Sequence, residues 1–312
     1  MPVLQLSLQL IILIAVGVFV WRCGLVDEKF DKSLTSFLIN VALPCMIIES
    51  FSAPYSPDEL KNCAVLFLIS IFYLALCFGI GQLVFILCGK NFTGRMLRFG
   101  AMFTNFSFVG IPVVEALYGQ TGVLYFVVFI VPIRMVYYSS IKLLLSPPGT
   151  AHKKQSVLSH VRGWLSPPIV AVFVGLTLYV TGISLPVPIE KTVAGIGAVT
   201  SPMGMILCGI SIGKNDIRSI IKLKYLLMPL LRNILIPAIF LAIMYFIPVD
   251  PLVAKIVVIY SALPVASLLA AFTIQYEPDS SARLESAGSV FFSILTCAVT
   301  IPLWAQLAEN VL

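Results

Sequence analysis

Long apolar runs recur along the whole chain, and they restrict its fold more than any other feature of the sequence. Each run has roughly 18 to 25 residues, the length that a helix needs to cross a hydrocarbon layer of about 30 Å. Of the 312 residues, 59% are hydrophobic and only 11% are charged, whereas a soluble domain has about 25% charged residues. No stretch alternates between polar and apolar residues with period two, so a barrel is not indicated. The sequence therefore predicts an all-α integral membrane protein.

Ten runs can be delimited, five on each side of a polar segment in the middle of the chain. That segment, SPPGTAHKKQSVLSHVRG, is the only long polar stretch. We therefore predict a first five-helix repeat over 1–150, a cytoplasmic linker over 151–163 and a second five-helix repeat over 164–312. The predicted transmembrane spans cover about 3–21, 34–54, 62–88, 96–119, 121–145, 164–182, 192–213, 224–247, 252–274 and 286–307.

The basic residues fall almost entirely in alternate loops. Loops that follow the first, third, fifth, seventh and ninth spans contain fifteen Lys and Arg residues, and the other loops contain only Lys61 and Lys191. Because cytoplasmic loops are enriched in Lys and Arg, the first set is predicted to be cytoplasmic and both termini extracytoplasmic. Membrane topology thus accounts for the net charge of +6, and no nucleic-acid partner is expected. We expect a multi-pass protein of the cell (plasma or inner) membrane.

Matched prolines indicate that the two repeats are related by inversion. Two repeats of five spans must cross the membrane in opposite directions. Pro44 in span 2 has the same register as Pro202 in span 7, and Pro112 in span 4 is matched by Pro264 in span 9. A single proline inside a membrane helix is usually only a kink, which is the alternative interpretation of each. Matched prolines favour two broken helices, spans 4 and 9, whose unwound segments cross inside the protein.

The second half of each broken helix would begin near the centre of the bilayer. A helix start presents unpaired N–H groups and about half a positive charge, and proline suits its first position. Because spans 4 and 9 run in opposite directions, the starts near Pro112 and Pro264 would converge. Converging helix starts predict a binding site for an anion.

The residues around these prolines resemble a known family. The stretch NFSFVGIPVVEALYG is similar to the Asn-x-x-x-x-Gly-Ile-Pro motif of the auxin efflux carrier family, and SALPVASLLAAFTIQY is similar to its second proline crossover. The stretch ALPCMIIESF in span 2 is also similar, so the resemblance covers nearly the whole chain. It implies the fold of the bile acid and sodium symporter-like superfamily, with two inverted five-helix repeats, a scaffold domain and a transport domain. It also implies a secondary active transporter of small organic anions that works by an elevator-type motion, coupled to protons or sodium.

The length of the central loop refines this resemblance. Plant auxin carriers of the long type have a large hydrophilic loop, whereas this chain has a short one, as in bacterial members that handle malonate or similar carboxylates. The second crossover has Ala262 and Leu263 before Pro264, without an Asn or Gln beside it. Small carboxylates are therefore expected rather than auxin itself.

The predicted substrate site combines both unwound segments with one arginine. Arg134 lies near the middle of span 5, where a charge costs about 2.5 to 3.5 kcal/mol, and a guanidinium can bind a carboxylate through two parallel hydrogen bonds. The alternative is a structural ion pair with Glu49 or Glu115. The amide of Asn105 must find partners if it is buried, and it either caps backbone or binds substrate. The candidate substrate-binding residues are Asn105, Ser107, Gly110, Ile111, Pro112, Arg134, Leu263, Pro264, Val265 and Ser267.

Two glutamates are the candidate sites for a coupling proton or sodium ion. Glu115 lies three residues after Pro112, where a helix start favours a carboxylate, so it either stabilises the helix or carries the ion. Its inverted equivalent is Ser267, which would make the site asymmetric. Glu49 lies toward the outer end of span 2 and either extends to the headgroups or faces a cavity.

Other residues have expected structural roles. Arg232 lies about two turns from the cytoplasmic end of span 8 and is expected to reach lipid headgroups. Tyr137 and Tyr138 are expected in an interfacial aromatic belt. Gly209 and Gly213 indicate a close helix contact, either within the scaffold or in a homodimer.

Several functions are not indicated. The seven cysteines include no C-x-x-C pair and the two histidines share one polar loop, so no metal or cofactor is expected. The motifs of zinc proteases, serine hydrolases and P-loop NTPases do not occur, so the chain is expected to be neither an enzyme nor a primary pump. The alternative to a carrier is an anion channel or uniporter built on the same broken helices. The expected partners are an organic anion, a proton or sodium ion, and membrane lipid.

Overall fold

The computed structural model describes residues 2–51, 57–146, 167–214, 222–266, 269, 273, 277 and 280–312, without the side chains of 2–11, 31, 138, 139, 141, 142, 201, 208, 211, 212, 280 and 283. The predicted linker over 151–163 and the candidate Ser267 lie outside these residues. The described chain is helical and contains no strand, and its one β-type pairing is an isolated bridge between Thr104 and Val265.

Helices occur in both halves of the described chain. The first half of the chain contains α1 (Pro2–Arg22), α2 (Glu28–Phe37), α3 (Leu43–Ser50), α4 (Pro57–Leu87), α5 (Phe92–Met102) and α6 (Ile111–Leu145). The second half contains α7 (Pro167–Thr181), α8 (Val187–Gly197), α9 (Thr200–Gly213), α10 (Ile236–Phe246), α11 (Pro251–Ala262) and α12 (Ser280–Val311). Among the described residues, five helical stretches are long and apolar enough to cross a membrane: Glu28–Ser50, Pro57–Leu87, Phe106–Tyr137, Leu223–Phe246 and Leu284–Val311. Three shorter apolar helices are Ile12–Arg22, Pro167–Thr181 and Pro251–Ala262.

A π-helical turn precedes three of the prolines near helix starts. The turns are Leu38–Ala42, Phe106–Gly110 and Leu230–Leu235, and the α-helices that follow them have proline as their second residue: Pro44, Pro112 and Pro237. In a regular helix a proline ring clashes with the carbonyl of residue i−4 and removes one hydrogen bond. The wider π turn relaxes that clash, so each proline can begin a new α-helical stretch.

The helix α6 bends sharply at Gly119, between predicted spans 4 and 5. The backbone of Gly119 has φ 64° and ψ −157°, a region that is essentially restricted to glycine. The short arm before this bend therefore continues the first broken helix, and the long arm after it corresponds to predicted span 5.

The helices pack mainly in two groups, each with helices from both halves of the chain. The first helix group consists of α1, α2, α3, α7, α8 and α9, and the second helix group consists of α4, α5, α6, α10, α11 and α12 with the π turns beside them. In the first group, Gly209 of α9 packs on Ile14 and Gly17 of α1 so closely that a Cβ on Gly209 would overlap the Ile14 carbonyl oxygen. Gly213 packs on Trp21. Gly209 and Gly213 therefore do make the predicted close helix contact, and it lies within the chain.

Aromatic rings fill the centre of the second helix group. Tyr73 of α4 stacks on Phe240 of α10 with ring centroids 4.5 Å apart, and it meets Tyr260 of α11 edge-on at 5.0 Å. Phe129 of α6 completes the cluster against Tyr73 and Tyr260. These buried rings hold four helices together around the point where α5 and α11 end.

Candidate functional site

The two predicted helix breaks meet each other. The helix α5 ends at Met102 and α11 ends at Ala262, and the next residues are extended. The Asn105 backbone N–H donates to the carbonyl of Pro264 at 2.8 Å, and the Ala266 N–H donates to the carbonyl of Phe103 at 3.3 Å. The unwound segments thus form an antiparallel pair and satisfy each other's backbone groups, as a broken helix inside a membrane protein requires.

The first break lies farther upstream than its proline. The sequence predicted breaks near Pro112 and Pro264, and Pro264 does lie in the second break. The first break occupies residues 103–105, and Asn105 begins the helical turn that follows. Its backbone oxygen accepts from Val109 N–H at 3.1 Å, and its Oδ1 accepts from Phe108 N–H at 3.3 Å. Asn105 thus caps the backbone, which is one of its two expected roles, and the position of the first break is corrected.

Close packing at the crossing explains why one candidate residue is a glycine and why three others are apolar. A Cβ on Gly110 would lie 2.6 Å from Cζ of Phe126 and 2.7 Å from Cδ1 of Leu263, so only glycine fits there without rearrangement. Ile111, Leu263 and Val265 each have 0% of their surface exposed. Their side chains shape the crossing and are shielded from any ligand in this conformation, as are the buried rings of Pro112 and Pro264.

Arg134 reaches the start of the helical segment that follows the first break. Its Nη2 donates to Oγ of Ser107 at 2.9 Å, and its guanidinium carbon lies 5.0 Å from the centre of the Phe106 ring. Arg134 is only 4% exposed, whereas Ser107 is half-buried. The cation and the N–H groups of the helix start therefore lie side by side. Such an arrangement can supply charge-assisted hydrogen bonds to a carboxylate.

The two candidate glutamates belong to different helix groups. Glu115 is half-buried on α6, and Glu49 is half-buried on α3, where a Cβ on Gly197 of α8 would lie 3.0 Å from its Oε2. Because α3 packs on α6, both carboxylates lie near the boundary between the first and second helix groups.

The expectation that Arg232 reaches lipid headgroups is wrong. Its side chain is 0% exposed. It donates to the Tyr73 hydroxyl at 2.6 Å and to the carbonyl oxygens of Ala101, Tyr260 and Leu263 at 2.9, 3.1 and 3.2 Å. Arg232 thus lies directly against the crossing, where the π turn Leu230–Leu235 positions it.

Asn233, the neighbour of Arg232, ties the second break to α12. Its Nδ2 donates to the carbonyl of Ser293 at 2.8 Å, and Ser293 Oγ donates back to its Oδ1 at 3.0 Å. Ser293 Oγ also accepts from the backbone N–H of Val265 at 3.1 Å. The adjacent polar pair in the apolar run LLRNILIP is the signal that could have identified both residues, because two neighbouring polar side chains at span depth need protein partners.

Tyr137 also differs from its expected place. It is 3% exposed, and its ring packs on Phe99, Phe103 and Phe106 with centroid distances of 5.9, 5.1 and 6.0 Å. Tyr137 therefore packs against the residues on both sides of the first break and is not part of an interfacial belt. The side chain of Tyr138 lies outside the described residues.

This apolar helical protein has two crossed, broken helices and a buried cation at a helix start. Membrane transporters have this architecture. Comparison with known proteins gives the family. A family model described as "Membrane transport protein" matches residues 2–305, so the chain belongs to this family, which is also that of the auxin efflux carriers. The resemblance around Pro112 and Pro264 is thereby confirmed, and the family is one of transporters rather than enzymes.

Two archaeal relatives align over almost the whole chain. An uncharacterised transporter of Methanocaldococcus jannaschii is 24% identical over 322 aligned positions, covering 98% of this chain and 99% of the relative. An uncharacterised transporter of Methanothermobacter thermautotrophicus is 25% identical over 307 positions, covering 96% of each. The chain is therefore a membrane transporter by family.

Proposed function

We propose that this transporter is a secondary carrier of small organic anions, such as malonate or other short carboxylates and auxin-like acids. It moves them across the cell membrane, with both termini extracytoplasmic, by an elevator-type alternating-access motion coupled to protons or sodium. Ten spans in two inverted five-helix repeats build the carrier, and a homodimer through the first helix group is a compatible assembly. The substrate sits at the crossing of the two helix breaks.

The main support for the proposal is the hydrogen bond from Arg134 to Ser107, at the start of the helix that follows the first break. An anion there meets a guanidinium and the positive end of a helix in a site largely removed from water. Electrostatic interactions are stronger in such surroundings than in solvent. The half-buried Ser107 is the point at which a carboxylate can reach both groups.

The packing of the helices supports the elevator part of the proposal. The first helix group is a suitable scaffold, because backbone contact between α1 and α9 makes it rigid. The second helix group contains both breaks, Arg134 and Arg232, so the substrate site can move as one unit. The antiparallel pairing of the breaks is what an inverted repeat would produce.

The position of the two glutamates supports coupling to a cation. Glu49 lies on the scaffold group and Glu115 on the moving group, on two helices that pack together, and two ionised carboxylates near one boundary would repel each other. A proton or a sodium ion shared between them would remove this repulsion. Movement of the second group would then depend on the occupancy of this pair.

Uptake into proteoliposomes tests the function. The purified chain is reconstituted, and uptake of radiolabelled malonate, acetate, succinate and indole-3-acetate is measured under imposed pH or sodium gradients. A carrier gives saturable uptake and counterflow that one of the gradients accelerates. An ohmic anion current in planar bilayers without counterflow would instead identify the channel alternative. The absence of both for every carboxylate would rule out the proposed substrate class.

A further inference from the structure

We propose that Arg232 determines the anion selectivity of the crossing without touching the substrate, by neutralising the ends of the two helices that stop there. This inference rests on the proposed function, because it concerns the same crossing. It assigns Arg232 the role of a positioning residue, distinct from that of Arg134.

Arg232 contacts the ends of both helices that stop at the crossing. The Arg232 guanidinium donates hydrogen bonds to the carbonyl of Ala101 in the last turn of α5. It also donates to the carbonyls of Tyr260 and Leu263 at the end of α11. Carbonyl groups in the last turn of a helix lack the usual N–H partner four residues further on, although the Tyr260 carbonyl also accepts from the Leu263 N–H at 3.3 Å. Arg232 therefore caps two helix C-termini at once, from opposite halves of the chain.

The charges of this arrangement balance. A helix C-terminus carries about half a negative charge, so two ends bring about one negative charge to the crossing. Arg232 supplies one positive charge. Among the described residues it forms no ion pair with a carboxylate, and its other hydrogen-bond partner is the neutral Tyr73 hydroxyl. A buried cation requires such compensation, and the helix ends provide it.

The consequence for an anion follows from the position of these ends. The α5 end and the helix start at Asn105 are separated only by the short break at residues 103–105. Without Arg232, the negative helix ends would offset much of the positive potential of the helix start and of Arg134. With Arg232 in place, that potential acts unopposed on the carboxylate beside Ser107. The 0% exposure of Arg232 excludes direct contact with the substrate in this conformation.

Substitutions that separate charge from hydrogen-bond geometry test the inference. Arg232→Lys keeps the cation but cannot form all four hydrogen bonds, whereas Arg232→Gln removes the cation. Arg98→Gln is the matched control, because Arg98 also lies on the second helix group and donates to Gln82 and to the carbonyl of Leu144, away from the crossing. Malonate binding to the detergent-solubilised full chain is measured by calorimetry, and thermal unfolding is measured in parallel.

We expect the affinity for malonate to fall when the positive charge at position 232 is removed, and to be kept when the charge is kept. Arg232→Gln should raise the Kd for malonate at least about tenfold, whereas Arg232→Lys stays within about threefold and Arg98→Gln is unchanged. Equal losses in the Lys and Gln variants, or wild-type binding by Arg232→Gln, would overturn it. If Arg232→Gln cannot be purified in a folded state, the Arg232→Lys variant is decisive. Binding within about threefold of the wild type supports the charge role, and any larger loss overturns it.

Failure of the proposed function is recognised separately. If the wild type binds no malonate, acetate, succinate and indole-3-acetate are measured in the same way. If none of them binds, the proposed substrate class is at fault, and thermal unfolding then tests the charge balance. Arg232→Gln should lower the unfolding temperature more than Arg232→Lys and more than Arg98→Gln. Equal lowering by the Lys and Gln substitutions would contradict the neutralisation of the helix ends.

Discussion

Arg134 and Arg232 are both buried at the crossing, yet their surroundings give them different roles. Arg134 meets a half-buried hydroxyl at a helix start, so its cation faces a place that an anion can reach. Arg232 meets the carbonyls of helix ends, so its cation is already compensated. The distinction depends on which end of a helix each side chain meets, because the two ends carry opposite partial charges.

Replacement of Arg134 should therefore strongly reduce transport while the fold persists. In Arg134→Ala, the carboxylate loses at least one charge-assisted hydrogen bond, and we expect uptake in proteoliposomes to fall roughly ten- to 150-fold. Arg134→Lys, which keeps the charge, should retain part of the activity. Thermal unfolding of the solubilised variants checks that the fold is intact. Uptake at the wild-type rate in Arg134→Ala would remove this residue from the site.

Replacement of Glu115 should uncouple uptake from its driving gradient. Glu115→Gln cannot take up a proton and has no charge for a sodium ion, so an imposed pH or sodium gradient should no longer accelerate uptake. Initial rates with and without each gradient are the measurement. The matched control is Glu309→Gln, because Glu309 on α12 accepts a hydrogen bond from Lys255 on α11 and both helices belong to the second helix group. Unchanged gradient dependence in Glu115→Gln would refute the coupling role.

The sequence predicts the residue types of the site better than their partners. Asn105 and the proline pair were identified because polar and helix-breaking residues are expensive inside an apolar span. Depth along a span cannot distinguish a side chain that reaches the headgroups from one that turns inward. The sequence alone therefore gives the wrong surroundings for the Arg232 side chain. The π turn Leu230–Leu235 decides its direction, and a single sequence does not reveal such a turn.

At the scale of helices, the crossing depends on where each helix stops. Pro264 lies in its break, but the first break precedes Pro112 by several residues because Asn105 caps the following turn. A proline indicates that a helix is interrupted nearby, since its ring excludes a regular turn before it. The location of the interruption depends on which neighbour can satisfy the freed backbone groups, and here that neighbour is the other break.

The contact between α1 and α9 offers a test of helix packing with a control in the same helix group. In Gly209→Ala the new methyl group would overlap the carbonyl oxygen of Ile14, so the helices must separate. We expect a loss of about 1 to 3 kcal/mol in unfolding free energy, or a lower yield of folded protein. Gly195→Ala is the control, because nothing lies within 4 Å of a Cβ at that helical glycine. Thermal unfolding in detergent measures both, and equal stability of the two variants would contradict the tight contact.

At the scale of the whole molecule, the proposed motion requires the two helix groups to slide past each other. Gly204 of the first group lies at their boundary, where an ideal Cβ would be 3.4 Å from Cα of Phe108 in the second group. Cysteines at both positions can approach the geometry of a disulfide, whose Cβ atoms lie about 3.5 to 4.5 Å apart. An oxidised bridge there would fix the second group against the scaffold.

We therefore expect Gly204→Cys/Phe108→Cys, in a chain without its seven native cysteines, to lose uptake on oxidation and regain it on reduction. The matched control is Gly213→Cys/Trp21→Cys, which bridges α9 and α1 inside the first group, where an ideal Cβ at Gly213 is 3.1 Å from Cβ of Trp21. That pair should oxidise without loss of uptake, because it joins helices that do not move relative to each other. Bridge formation is followed by the fraction of free thiol and uptake by labelled malonate. Sustained uptake by the fully bridged Gly204–Phe108 protein would exclude sliding at this boundary, and a loss of uptake in both bridged proteins would mean that the scaffold group also has to move.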